Sequence, residues 1–391
     1  MQVALYFDAD FGILIVVRDD ISAEILLCGR EYCMQHEVLS KQRLLNGNGE
    51  VAEPGWARHP VWMYDRRDIA VPSLRIKEWD YYLAMNDSMA AAFTISDLGY
   101  AGMVSVSVID LRGDSAVFAS ERGSSLKPSE HTQTVLTPFP LGRMGLRAVS
   151  SSGGVDFKNG RVHLRYDAEP GRRRIRCVFK DFMDGKDLRA DLKLLCPDME
   201  SMCIATPWKK DPKAFYYNQK INCMPVSGKV ELGCSSFRFH PKRDMAMLDW
   251  GRGVWTYDNI WYWGTCSTYI DGVPFGFNLG YGFSDRSSAS ENLIFYDHKV
   301  HKIENIAFQI MTDDDGHRDF MQPWTVTSSD GRFEAVFMPI LDRSARIDLR
   351  LMCSDQHQIF GRMTGTVILD DGREIKMRDE TAAVEVVHNK Y

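Results

Sequence analysis

The sequence predicts an all-β protein of two tandem antiparallel barrel or sandwich domains, and three observations carry that expectation. Asn-Gly and Asp-Gly dipeptides recur between runs in which apolar and polar residues alternate. The runs have strand length and follow one another at a spacing of about 8 to 12 residues. Sustained helical periodicity is scarce.

The turns come first because Asn-Gly and Asp-Gly supply the positive φ angles of two-residue hairpins. Asn159-Gly160 separates Val155-Asp156-Phe157 from Val162 to Tyr166, and Asp271-Gly272 separates Trp261 to Tyr269 from Val273 to Leu279. Asp330-Gly331 divides Trp324-Thr325-Val326 from Phe333 to Phe337, and Asp371-Gly372 divides Gly365 to Leu369 from Glu374 to Met377. Further period-two runs are Ile175 to Phe179, Leu188 to Leu194, Lys229 to Leu232 and Arg346 to Leu351. The stretch from Ile21 to Glu37 is the one expected amphipathic helix. Prolines 197, 207, 212 and 225 interrupt the strand pattern, which places a boundary within residues 196–225 and gives domains 34–210 and 211–391.

The composition fits a globular protein with ample material for a core: 45% apolar and 26% charged residues over 391 positions. Disorder, collagen and coiled coil are excluded. Basic and acidic side chains, 47 against 53, are interspersed, so no electrostatic footprint for nucleic acid or an anionic membrane is present. The one basic cluster, Arg172-Arg173-Arg174 and Arg176, follows Pro170-Gly171 and reads as a solvated strand entry. The apolar run Ile13 to Val17 is far short of the roughly 20 residues that span a bilayer. The acidic N-terminus lacks the basic start of a secretory signal. Nine cysteines, at 28, 33, 177, 196, 203, 223, 234, 266 and 353, form no C-x-x-C pair. A cytoplasmic protein with reduced thiols and no transmembrane segment is expected.

The unusual chemistry lies between Phe215 and Tyr296. Phe215-Tyr216-Tyr217-Asn218-Gln219-Lys220-Ile221-Asn222 is followed by Leu248-Asp249-Trp250-Gly251-Arg252-Gly253-Val254-Trp255 and then by Trp261-Tyr262-Trp263. Next, Phe275 to Phe283 sets glycines 276, 280 and 282 among bulky residues. Glycine inside a strand marks a curved barrel wall or a close approach by a ligand. Asp249 among indoles is a candidate acid, because lost solvation favours the neutral carboxyl, whereas Arg252 favours the charged form. The pair also reads as the closure of a tight Gly-rich turn. Asn218, Lys220, Asn222, Asn278, Glu291 and Asn292 are polar candidates around it, each equally at home in a turn or at a sheet edge. Gly55 to Tyr64, with Arg58 among its aromatics, suits a binding loop or a barrel plug. Nucleophile-elbow, dinucleotide and P-loop signatures are absent. His298 and His301, three apart on a strand, point to opposite faces and make a poor metal pair. No cofactor or metal is expected.

With those residues in hand, the chain resembles the bacterial family of unknown function numbered 2804, from about Met34 to Tyr391. The resemblance rests on Gly55-Trp56-Ala57-Arg58-His59-Pro60, Lys77-Glu78-Trp79-Asp80-Tyr81-Tyr82, Ala205-Thr206-Pro207-Trp208, Phe215 to Pro225, Leu248 to Trp255 and Asn278 to Gly282. It implies that residues 1–33 are an upstream extension or the product of a misassigned start codon, and it adds Trp79 to the candidate ligand contacts. More distantly, the chain is similar to tandem lipocalin-like proteins that include carotenoid 1,2-hydratases and fungal cyclases. Leu248-Asp249-Trp250-Gly251-Arg252 looks like the acidic element of their second barrel, although the Gly-Arg insertion departs from the pattern. Phe360 to Gly365 and Ala383-Val384-Glu385 look like closing strands. The resemblance implies two lipocalin-like β-domains.

Three functions compete. The first is a cofactor-independent hydratase, cyclase or isomerase that protonates an apolar or amphipathic small molecule. Asp249 would be its acid, Trp250, Trp255, Trp261 and Trp263 would face the cation formed, and Tyr217, Asn278 and Tyr281 would orient substrate or water. The second is a non-catalytic carrier of a lipophile in the same pocket. The third is a glycan-active enzyme using Asp249 and Glu291 as its carboxylate pair. Substrate, oligomeric state and the part played by the first domain stay open.

Overall fold

All four predicted turns close hairpins, because in each the two flanking runs present apolar side chains to one face and polar ones to the other. At Asp271-Gly272 both turn residues have positive φ, 52° and 80°, as a type I′ hairpin requires. The computed structural model describes residues 4–8, 12–16, 35–112, 128–138, 146–349 and 352–390. The expected helix over 21–37 lies outside them except for its last three residues, where Glu37 bridges Trp56. Ala4–Asp8 and Gly12–Val16 pair as a short hairpin. Among the described residues the only helical pieces are the 3-10 turns Arg66–Asp68 and Ser73–Arg75, so the all-β expectation holds.

Two large antiparallel sheets make up the molecule. The first follows the order Gly153–Lys158, Val162–Glu169, Arg172–Met183, Lys186–Leu195, Asp211–Leu232, Met245–Val254, Ile76–Met85, Met89–Asp97, Gly102–Asp110 and Ser129–Thr137, with Gly55–Ala57, Met202–Trp208 and Ser235–Phe239 branching from it. It curls until its ends meet: His131 Nε2 lies 2.7 Å from the Phe182 carbonyl, and Arg161 donates to Gln133 Oε1 at 2.9 Å. The second runs Lys299–Lys302, Leu293–Tyr296, Val273–Tyr281, Asp258–Ile270, Glu374–Lys390, Met352–Ile368, Phe333–Leu349, Trp324–Ser328 and Ile306–Gln309. Its ends meet where the Tyr281 hydroxyl accepts a bond from the Phe308 N–H at 3.1 Å.

The chain changes sheet at residues 255–257, between Met245–Val254 and Asp258–Ile270, rather than near residue 211. Residues 211–254, placed in the second domain by the proline count, are hydrogen-bonded into the first sheet. The prolines are not linkers there. Pro207 and Pro225 sit beside ladder irregularities, where a missing N–H costs no regular bond, and Pro212 lies at the start of its strand.

Each curled sheet is filled by its own side chains. Phe277, Phe333, Phe337 and Trp324 are wholly buried inside the second, and Phe93, Phe179, Phe182 and Phe215 inside the first. Each such side chain contributes on the order of 1.5 to 3 kcal/mol. Neither interior is an empty calyx. The remaining two clusters, one around Trp255, Tyr216 and Phe295, the other around Leu83, Met247 and Phe360, lie between the sheets. Among the described residues the cysteines carry free thiols, and no helix is long and apolar enough to cross a membrane.

Candidate functional site

Three adjacent strands of the first sheet put the predicted residues in register. Lys220 on Asp211–Leu232 pairs with Asp249 on Met245–Val254, which pairs with Tyr81 on Ile76–Met85. Two positions along, and therefore on the same face, stand Asn218, Gly251 and Trp79. Facing them from the second sheet is a rung made of Gly280, Trp263, Glu385 and Gln358. The site is thus a polar seam between two sheets, with a rung of each contributing.

Asp249 is fully partnered. Its Oδ1 accepts from Asn218 Nδ2 at 2.7 Å and from the Trp79 indole at 3.0 Å, and its Oδ2 is 2.5 Å from Lys220 Nζ. The same ammonium lies 3.9 Å from Glu291 Oε2 and 4.9 Å from the centre of the Trp263 ring. Lys220 therefore brings the two carboxyls of the proposed pair together. Glu291 receives a bond from the Tyr216 hydroxyl at 3.1 Å and is 4% exposed. Burial is the largest influence on it and pushes its pKa up; Lys220 opposes this and Asp249 adds to it. A second carboxyl, Glu385, accepts from Trp261 Nε1 at 2.8 Å and from Gln358 Nε2 at 3.0 Å, and burial raises it too. One ion-paired carboxylate thus stands beside two carboxyls that burial drives toward the neutral form.

Two glycines make the packing possible. A Cβ on Gly251 would land on the Trp79 ring, and a Cβ on Gly280 would land on the Glu291 carboxyl. The glycine between Trp250 and Arg252 is therefore the seat of the indole that holds Asp249. Asn278 accepts from the Trp263 indole and donates to the Glu291 carbonyl, both at 2.8 Å, so it orients both. Asn222 donates to Thr265 Oγ1 and to the carbonyls of Cys266 and Phe277, tying the sheets together rather than facing a ligand.

Around the seam, Trp255 packs against Trp79, Trp208, Tyr216, Trp261 and Phe283, with ring centres 5.4 to 6.0 Å apart. A cleft of about 200 Å³ opens beside it, lined by Ile204, Tyr216, Gly280, Phe283, Arg286 and Glu291 among others. Its enclosed part is about 10 Å³, the room of a single water.

Several expected contacts lie elsewhere. Arg252 does not pair with Asp249, because residues three apart on a strand face opposite ways. It is wholly buried inside the first sheet, where it donates to Asp80 Oδ1 at 2.8 Å and to the carbonyls of Trp79, Gly251 and Arg147. Trp250 and Tyr217 share that opposite face, their rings 5.5 Å apart. Arg58 holds Glu37, Glu200 and the Val300 carbonyl over the Trp56 ring and is not in the seam. Tyr281 stacks on Tyr262 at 4.5 Å and is one of the residues that line the cleft. Lys220, Asn218, Trp79, Trp255, Trp261, Trp263, Asn278, Asp249 and Glu291 do converge. Sequence reasoning missed Tyr216, Tyr81, Gln358 and Glu385. Period two from Asn218 and Lys220 selects Tyr216 over Tyr217, and Glu385 is the lone charge in the apolar run Ala382 to Val387.

Among the described residues the one group spaced for a metal is Asp313, Asp315 and His317, all exposed. The Asp313 carboxylate there accepts the backbone N–H groups of Asp315 and His317, as in an ordinary turn.

Comparison with known proteins matches residues 35–391 to the model of a domain of unknown function, DUF2804. The chain belongs to that family. No curated protein matches it. Among solved structures it is similar to kievitone hydratase from Nectria haematococca, with 9% identity, a TM-score of 0.48, and coverage of 90% of this chain and 96% of that one. It is also similar to a candidate AttH protein from Nitrosomonas europaea, with 12% identity, a TM-score of 0.44, and coverage of 85% and 98%.

Proposed function

We propose that this DUF2804 member is a cofactor-independent enzyme that protonates an apolar or amphipathic small molecule in the seam between its sheets, as a hydratase, cyclase or isomerase does. Glu291, rather than Asp249, is the proton donor. The observation that carries this is a wholly buried carboxyl pushed toward its neutral form, on the wall of an aromatic cleft and beside an ion-paired carboxylate. Protonation of an alkene forms a C–H bond from the π pair, breaks the Glu291 O–H bond and leaves a carboxylate and a carbocation. The faces of Trp255 and Tyr216 stabilise that cation; then either water adds and gives its proton to the Glu291 carboxylate, or a proton on a neighbouring carbon returns to it.

The test is mass spectrometry of organic extracts from the freshly purified protein and from its Glu291→Gln variant. The variant should enrich a form that differs by water or by double-bond position. The same molecule from both proteins would overturn catalysis in favour of a carrier, and no small molecule from either would remove the support for a lipophile.

A further inference from the structure

Glu385 has no part in the step above, and its surroundings are those of a group set to work. It stands mid-strand on Glu374–Lys390, yet it is only half-buried, as are Trp79, Tyr81 and Trp261, and Asp249 retains 14% of its side-chain exposure. Side chains at the centre of paired strands stay accessible only where space between the sheets reaches them. The two rungs are linked directly: Gln358, opposite Glu385 in register, donates to the hydroxyl of Tyr81, opposite Asp249 in register, at 3.4 Å. Trp263 packs between them, 6.2 Å from the Tyr81 ring. Glu385 feels the charges of Arg343, Asp249 and Lys220, in that order, yet among the described residues no cation lies within salt-bridge reach of it.

We propose that Glu385 is a second substrate-facing acid, presented from the second sheet opposite Asp249, and that the substrate carries a hydroxyl or carbonyl oxygen that receives a hydrogen bond from it. The proposal rests on the reading of the seam as a protonation site and names the polar part of its substrate. Trp261 and Gln358 fix the carboxyl by donating to it, one to each oxygen. Desolvation raises the Glu385 pKa and so favours the protonated form, which has one O–H bond to donate. Asp249 and Lys220 pair with each other, and Arg343, which donates to Ser107, is the remaining charge that acts on Glu385 and Tyr81. The substrate's unsaturated carbons would lie toward Glu291 and Trp255, and its oxygen toward Glu385 and Tyr81. A site that bonds a substrate oxygen discriminates against the analogue lacking it far more strongly than an apolar wall does.

Dicyclohexylcarbodiimide, an apolar reagent that consumes protonated carboxyls, tests this on the full chain. The carboxyl O–H adds across one C=N bond, with the proton going to nitrogen and the oxygen to carbon. An oxygen-to-nitrogen acyl shift then leaves a stable N-acylurea, with nothing lost. Peptide mass spectrometry at neutral pH should find the adduct at Glu385 well above the level at any exposed carboxylate, because the protonated form is favoured there. The Glu291→Gln protein should label at Glu385 to the same extent, which separates this proposal from the assignment of Glu291. Label confined to surface carboxylates, or absent, would overturn it. So would a molecule extracted from the seam that contains no oxygen.

Discussion

Gly251→Ala is the sharpest perturbation of the seam, because it adds one methyl group at a position with no polar side chain of its own. A Cβ there coincides with atoms of the Trp79 indole, so the ring must leave its place. It then loses its bond to Asp249 Oδ1, made at 3.0 Å, and its packing on Tyr216 and Trp255 at 6.3 and 6.0 Å. A hydrogen bond to a charged acceptor contributes about 1.5 to 3 kcal/mol, and overpacking a filled core costs about 1 to 3 kcal/mol. Together these predict a loss of about 2.5 to 6 kcal/mol. Urea unfolding should show it as a lower midpoint at unchanged m-value. The same substitution on a Trp79→Ala background should cost less than about 1 kcal/mol, since the clash partner is gone and the two sites are coupled. A Gly251→Ala protein within about 0.5 kcal/mol of the parent, or equal costs on both backgrounds, would show that the glycine is not the seat of the indole.

Three further outcomes are expected. Glu291→Gln keeps the volume beside Gly280 and removes the proton, so turnover on an identified substrate should fall about 10²- to 10⁴-fold with folding intact; retained turnover would exclude Glu291 as the donor. Lys220→Met leaves Asp249 without its cation and should destabilise by about 3 kcal/mol, most of which Lys220→Met with Asp249→Asn recovers, as urea midpoints would report. Glu291 and Glu385 have folded pKa values above the unfolded value near 4.5, so the native state binds more protons than the unfolded state in the interval between. Their contribution to stability is complete below about 4.5 and is lost as pH rises through the folded values. The double Glu→Gln protein should therefore lose less stability than the parent over that interval, and parallel pH profiles would contradict the assignment.

How far the sequence reaches is clear from particular residues. Asp271-Gly272 and its three counterparts marked hairpins because a positive-φ dipeptide between alternating runs is a local constraint, and local constraints survive into the folded chain. The aromatic stretch from Phe215 to Tyr296 marked the neighbourhood of the seam for a similar reason: indoles and amides at alternate positions already share a face. The same rule could have removed Arg252, Trp250 and Tyr217 and admitted Tyr216, had the parity of each strand been followed from Asp249 and Lys220. What lay beyond reach was every pairing between distant segments. Trp79 and Asp249 are 170 positions apart, and Trp261 and Glu385 are 124 apart. The prolines near residue 211 misplaced the division between sheets because a proline beside a bulge and a proline in a linker look alike in one dimension.

By itself, then, the amino-acid order determined the strand content, the turns and the face each side chain takes along its own strand, all of which follow from backbone sterics and a period of two. Only the tertiary structure decided that the two sheets divide at residues 255–257, that both curled interiors are filled, and that the polar residues meet in the seam between them. It also set the surroundings of the three carboxyls. Desolvation and ion pairing depend on what the rest of the chain brings within a few ångströms, so Lys220 occupies Asp249 while burial holds Glu291 and Glu385 toward neutrality.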